Sequence, residues 1–215
     1  MLLRAILITI ALAACAASKV PRAGELPRGG SRTPAEQARA DSGRPAYTRA
    51  DVAFMQGMIG HHAQALVMAG LAPSNQAGES VRVLAERIDV SQRDEIAFMQ
   101  RWLRERAETV PPVADAHAAH AMPAGGTTDH SAHMPGMLTE QQLEQLAAAR
   151  GSEFDRLFLT FMIQHHEGAI VMVRQLFASP GAGQEVNVFL FASEVEADQT
   201  TEIDRMRRML SNKAP

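Results

Sequence analysis

The sequence predicts an all-α protein: a four-helix bundle made of two tandem helix hairpins, with a disordered N-terminal tether and a His/Met-rich central linker. Three observations predict it. Apolar residues recur at helical spacing through four long stretches, and no alternating strand pattern competes with them. Helix-start and helix-stop residues bracket each stretch. The second half of the chain also repeats the first. Asp51, Phe54, Met58, Ile59, His61, His62, Ala65, Val67 and Met68 recur 104 positions later as Asp155, Phe158, Met162, Ile163, His165, His166, Ala169, Val171 and Met172. Gln92, Glu95, Ile96, Met99 and Leu103 recur as Gln199, Glu202, Ile203, Met206 and Leu210.

Residues 1–14 read as a signal peptide, with Arg4, an apolar stretch from Ala5 to Ala14, and then small residues. The segment Leu12-Ala13-Ala14-Cys15 resembles the lipobox of bacterial lipoproteins, which implies cleavage before Cys15 and lipid on its sulfur. An ordinary signal cut nearby would discard Cys15 instead. Ala16, rather than Asp, after the cysteine resembles the outer-membrane sorting pattern. Residues 15–47 are rich in Pro, Gly, Arg and Ser and cannot bury enough surface to fold, so they form the tether. Residues 48–110 make the first hairpin. Its first helix opens at the capping-box-like Thr48–Asp51 and stops before Pro73, and its second spans about Glu79 to Glu108. Residues 111–138 are the linker. Residues 139–211 make the second hairpin, with a short helix over Thr139–Ala149 ahead of it. A long helix capped by Ser152–Asp155 follows, reaching Ala178, and a last one runs from about Gln184 to Leu210. Neither hairpin covers its apolar face alone, so the two make one bundle.

Composition narrows the function. With 46% hydrophobic and 21% charged residues, the chain can bury a core. A net charge of −3 gives no basic footprint for nucleic acid. No apolar run is long enough to span a membrane as a helix, so membrane contact is expected through the lipid anchor. Cys15 is the only cysteine, leaving the body of the protein without thiolate ligands.

The chemistry lies in the repeat. On a helix, Met58, His61, Ala65 and Met68 fall on one stripe, as do Met162, His165, Ala169 and Met172. On the partner helices Gln92, Glu95 and Met99, and Gln199, Glu202 and Met206, share a face. If each stripe faces the bundle axis, His, Met and Glu converge from four helices. His62 and His166 sit about a hundred degrees further round, bordering the site, facing a neighbouring helix, or holding a second ion. Methionine stripes also serve as plain core filling. Burying His, Glu and Met together, twice, is costly unless they satisfy each other or an ion.

Thioethers favour Cu(I), and Ag(I) by the same softness, while imidazole accepts either copper state. Carboxylate-bridged di-iron bundles need Glu-x-x-His, which this sequence lacks. Affinity is expected to fall as pH drops through the histidine range near 6.5. The linker adds His117, His120, Met122, His130, His133, Met134 and Met137 as secondary metal ligands, because short His-rich tracts commonly bind metal.

Phe-x-x-x-Met-Ile-x-His-His-x-x-Ala-x-x-Met followed by Gln-x-x-Glu-Ile-x-x-Met, present in both halves, resembles the bacterial family called domain of unknown function 305. The resemblance covers about Thr48 to Leu210 and implies a ferritin-like fold and copper handling. Two positions depart from the family pattern. Gly60 and Gln164 stand before the double histidine where Pro is frequent, and Gln64 replaces the Gly kept at Gly168. A looser first site is the expected consequence. The function expected is an envelope metal-binding protein for copper or silver tolerance or trafficking, facing the periplasm, and not an enzyme. The alternatives are a ferritin-like metal-oxidising enzyme and a metal-free interaction bundle. Oligomeric state and protein partners leave no trace in the sequence.

Overall fold

Thr48 starts the first helix. Its hydroxyl accepts from the Asp51 amide at 3.2 Å, and the Asp51 carboxylate accepts from the Thr48 amide at 2.6 Å, the reciprocal cap that the sequence predicts. The computed structural model describes residues 46–113 and 134–212. There the chain forms α1 (Arg49–Gly70), α2 (Glu79–Glu105), α3 (Glu140–Ala148), α4 (Gly151–Ala178) and α5 (Val186–Ser211). No strand occurs among the described residues. Cys15, the signal and the tether up to residue 45 lie outside the described residues, as do His117, His120, Met122, His130 and His133.

One predicted cap is not made. The helix α4 begins at Gly151, with Arg150 at the cap position and no side-chain cap bond. Gly151 takes φ +59, which lets the chain turn straight out of α3. Its amide donates to the Asn75 carbonyl at 2.9 Å. Asp155, expected to complete that cap, instead accepts from the Gly78 amide at 3.0 Å, in the turn between α1 and α2. Asp51 mirrors it by accepting from the Gly183 amide at 2.7 Å, between α4 and α5. Each histidine helix thus begins where the other ends, and α1 and α4 run antiparallel. Asn75, 2% exposed, closes the same end by reaching the Leu146, Ala147 and Ala149 carbonyls at the end of α3.

The helix α1 packs on α2, α4 on α5, and α1 faces α4 across the bundle. The apolar core falls into two halves. One gathers Met58, Met99 and Met172 with Phe54, Trp102 and Phe191. The other gathers Met68, Met162 and Met206 with Leu84, Phe154 and Phe158. The four histidines occupy the middle of α1 and α4.

Candidate metal centre

His61, His62, His165 and His166 are each 0–1% exposed. The His61 and His165 rings lie 3.8 Å apart between centroids, with 37° between their planes. Their outward nitrogens are all engaged. His61 Nε2 bonds to the Pro135 carbonyl at 3.0 Å and His165 Nε2 to the His61 carbonyl at 2.9 Å. His62 Nε2 bonds to Glu95 Oε2, and His166 Nε2 to Glu202 Oε2 at 2.7 Å. Carbonyl and carboxylate oxygens only accept, so Nε2 is the donor in all four rings. In a neutral ring Nδ1 is then a bare lone pair. All four Nδ1 atoms are buried without a hydrogen-bond partner among the described residues.

Burial sets the charge of the central pair. It pushes the His61 pKa down to about 3, helped by the neighbouring His62 and His166 and opposed by the Pro135 hydrogen bond. His165 is held well below the usual histidine range by burial first, then by His61, His166 and His62. Both rings are neutral at ordinary pH, the form that coordinates metal.

The methionines divide in a way the stripe conceals. Met58 and Met68 are ten residues apart on one helix, about 15 Å along its axis, too far to meet at one ion. The antiparallel packing exchanges them instead. Met58 joins Met172 of the other repeat and Met99 of α2 in one half of the core. Met162 joins Met68 and Met206 in the other. Each half of the core thus holds three methionines related by the repeat, and the first half holds Met55 as well.

Glu95 and Glu202 stand behind His62 and His166, holding their Nε2 atoms. Burial alone would raise the Glu95 pKa, but the hydrogen bond and charge of His62, with Ser91 and His166, outweigh it and lower it. Outside these pairs a groove of about 670 Å³ runs between α2 and α5, lined by Ser91, Asp94, Asp198 and Glu202 among others. Burial, then the charges of Glu95 and Glu202, raises the Asp198 pKa. Glu202, the carboxylate behind His166, thus borders a groove that also carries Asp94 and Asp198.

Two inward groups escape the sequence reading as candidates. Gln92 and Gln199 are 1% and 2% exposed, and their Oε1 atoms have no partner among the described residues. Their recurrence one turn before Glu95 and Glu202 was the available signal. Of the linker candidates, Met134 is partly buried against the core half that holds Met58, and Met137 is half-buried in the turn that follows.

Among the described residues, no three His, Cys, Asp or Glu side chains gather closely enough to hold an ion by themselves. An ion in this interior would draw on thioether sulfur. Buried imidazoles in a core rich in thioethers suit a soft, low-coordinate cation.

A bundle duplicated from one helix hairpin, with a buried histidine layer between thioether-rich halves, is the class that fold and site define. The chain belongs to the family named domain of unknown function 305 (DUF305), which matches residues 51–210. A DUF305 fragment from Deinococcus radiodurans is 30% identical, with a TM-score of 0.60 over 78% of this chain and 99% of that one. A DUF305 protein from Streptomyces coelicolor is 26% identical, with a TM-score of 0.61 over 76% of this chain and 93% of that one. CopM in its Cu(II)-bound form is 26% identical, with a TM-score of 0.55 over 76% of this chain and 97% of that one. CopM is also solved in Cu(I)-bound and Ag-bound forms, each 25% identical to this chain. No curated protein matches the chain. Among the described residues, no helix is long and apolar enough to cross a membrane.

Proposed function

We propose that this protein binds Cu(I) or Ag(I) inside its helical bundle and serves metal tolerance or trafficking in the bacterial envelope. One observation carries the reading: four buried Nδ1 atoms that meet no hydrogen-bond partner among the described residues. Leaving a buried polar atom unpaired costs about 1–3 kcal/mol. A cation held by one or two of these nitrogens together with thioether sulfur would relieve that cost. His61, His62, His165 and His166 would supply nitrogen, and Met58, Met99 and Met172, or Met68, Met162 and Met206, would supply sulfur. Glu95 and Glu202 would orient rings rather than coordinate, as carboxylates behind metal-bound histidines commonly do. The CopM relatives bound to Cu(I), Cu(II) and Ag support the choice of ion.

The reading is one of binding, not turnover. Side chains pack the histidine layer on all sides, a setting for holding an ion rather than presenting it to a second substrate. The name of the Streptomyces coelicolor relative as a secreted protein supports a place outside the cytoplasm. Within that reading, Cys15 carries the lipid that fixes the protein to the membrane, with the bundle facing the periplasm.

Two measurements test this. Cu(I) and Ag(I) should bind more tightly than Zn²⁺, and pairing Met58→Leu with Met162→Leu should weaken them. That swap preserves volume and should change stability by less than about 1.5 kcal/mol. Unchanged Cu(I) affinity in the paired variant would mean that these methionines only pack. Separately, Cys15→Ala should move the protein out of the membrane fraction, and continued sedimentation with membranes would overturn the anchor.

A further inference from the structure

Among the positions at which the two halves of the repeat differ near the double histidine, three bear on one segment. Gly57, Gly60 and Gln64 of α1 stand where α4 has Phe161, Gln164 and Gly168. Every one of these departures except Phe161 touches a single short strap, Met134 to Leu138, that crosses between α1 and α4. Gln64 clamps its far end, accepting from the Leu138 amide at 2.7 Å and donating to the Leu138 carbonyl at 3.1 Å. Gln164 donates to the Gly136 carbonyl at 3.4 Å, itself held by Gln142 at 3.2 Å. Gly168 lies directly beneath the strap. A Cβ there would run into the Pro135 carbonyl and come within 2.6 Å of Gly136 Cα, backbone that cannot give way. Gly136 adopts φ +75, and a Cβ on it would meet the Gln164 carbonyl at 2.5 Å. The strap is a built element with a seat cut for it in both helices.

Its leading residue lies beside the site. Gly57 and Gly60 make room for Met134. Positions a Cβ would take on them lie 3.6 Å from Met134 Sδ and 3.6 Å from its methyl carbon. The methyl of Met172 lies 3.4 Å from the same Gly57 position, so both methionines crowd one glycine. The next strap residue, Pro135, takes the proton of His61 Nε2 at 3.0 Å, which leaves His61 Nδ1 as the buried lone pair. In the equivalent place on α4, Phe161 fills the space with an 8% exposed ring.

We infer that Met134 is a ligand of the bundle site, a thioether that the strap adds to Met58, Met99 and Met172 on one side of the histidine layer only. This rests on the reading of the bundle as a soft-metal site. The departures from repeat symmetry are then the seat of an added ligand, and the strapped half is the tighter of the two. The ligand class is a soft monovalent cation, because the added donor is a thioether and brings no charge.

Silver ion titrated into the full chain tests this. In protein carrying ¹³C-methyl methionine, Ag(I) should shift the Met134 methyl resonance together with those of Met58 or Met172. Met134→Leu should weaken the tightest Ag(I) site by about tenfold or more with helical content and unfolding midpoint unchanged. Met209→Leu, elsewhere in the core, should leave the affinity as it was. An unmoved Met134 methyl at saturating Ag(I), or an affinity in Met134→Leu within about twofold of wild type, overturns the assignment while leaving the bundle site standing. If no methionine methyl responds to Ag(I), the soft-metal reading itself fails, and this inference with it.

Discussion

His61 shows how burial changes what a histidine can report. Taken as a free side chain, it would lose its metal as pH falls through 6.5. The structure moves that threshold, because burial depresses its pKa to about 3 and depresses that of His165 in the same direction. Protons therefore do not compete for these two nitrogens near pH 6. They act on stability instead. Between pH 6.5 and about 3 the unfolded chain protonates His61 and the folded protein does not. Folding stability is complete above 6.5 and should fall by about 1.4 kcal/mol per pH unit for each such histidine as the solution is acidified. Glu95 adds little down to pH 5, because it is lowered from its ordinary 4.5 and stays ionised in the folded protein. Urea unfolding of metal-free protein at pH 7.5, 6 and 5 should show a falling midpoint, with a shallower slope in His61→Gln. A midpoint flat from pH 6.5 to 5 would mean that these rings are not held neutral.

At the scale of elements, the long helices were readable because they carry apolar residues at one period over 22 to 28 residues. Their caps were readable where the capping pair is local. Thr48 with Asp51 forms as read, and the structure adds a second local pair, Thr139 with Gln142. The start of α4 was not readable, because Asp155 is recruited by an amide 77 residues away and local sequence cannot report that competition. The strap was hidden for a different reason. Met-Pro-Gly-Met has no period and looks like linker, and its hold comes from Gln64, Gln164 and Gly168 on two other helices. The only trace in the sequence was negative, the positions where the repeat fails to repeat. The same limit applies to the methionines. Helical spacing puts Met58 and Met68 on one face, but only the antiparallel contact of α1 with α4 decides that each joins a methionine of the other repeat.

Two buried aspartates tie the hairpins to each other, one at each end of the bundle. Asp51 is fully buried and carries two loads, the cap on the Thr48 amide and the clamp on the Gly183 amide at 2.7 Å. Asp155 clamps Gly78 in the opposite turn. In each case a carboxylate of one hairpin satisfies a backbone amide of the other, so the clamps contribute to joining the hairpins as well as to folding each. Removing one leaves a buried amide without its acceptor, at about 1–3 kcal/mol, and loss of the cap adds about 1 kcal/mol. Asp51→Ala should therefore destabilise the metal-free protein by about 2–4 kcal/mol in urea unfolding. Asp155→Ala should cost about 1–3 kcal/mol. The clamps lie at opposite ends of α1, so the double variant should lose the sum to within about 0.5 kcal/mol. Asp51 is also ten residues from His61, about 15 Å along the helix. Wherever the variant remains folded, its Ag(I) affinity should match wild type. A loss of Ag(I) affinity in folded Asp51→Ala, or a stability within about 0.5 kcal/mol of wild type, would show that the ends of this bundle are not clamped independently of its metal-binding centre.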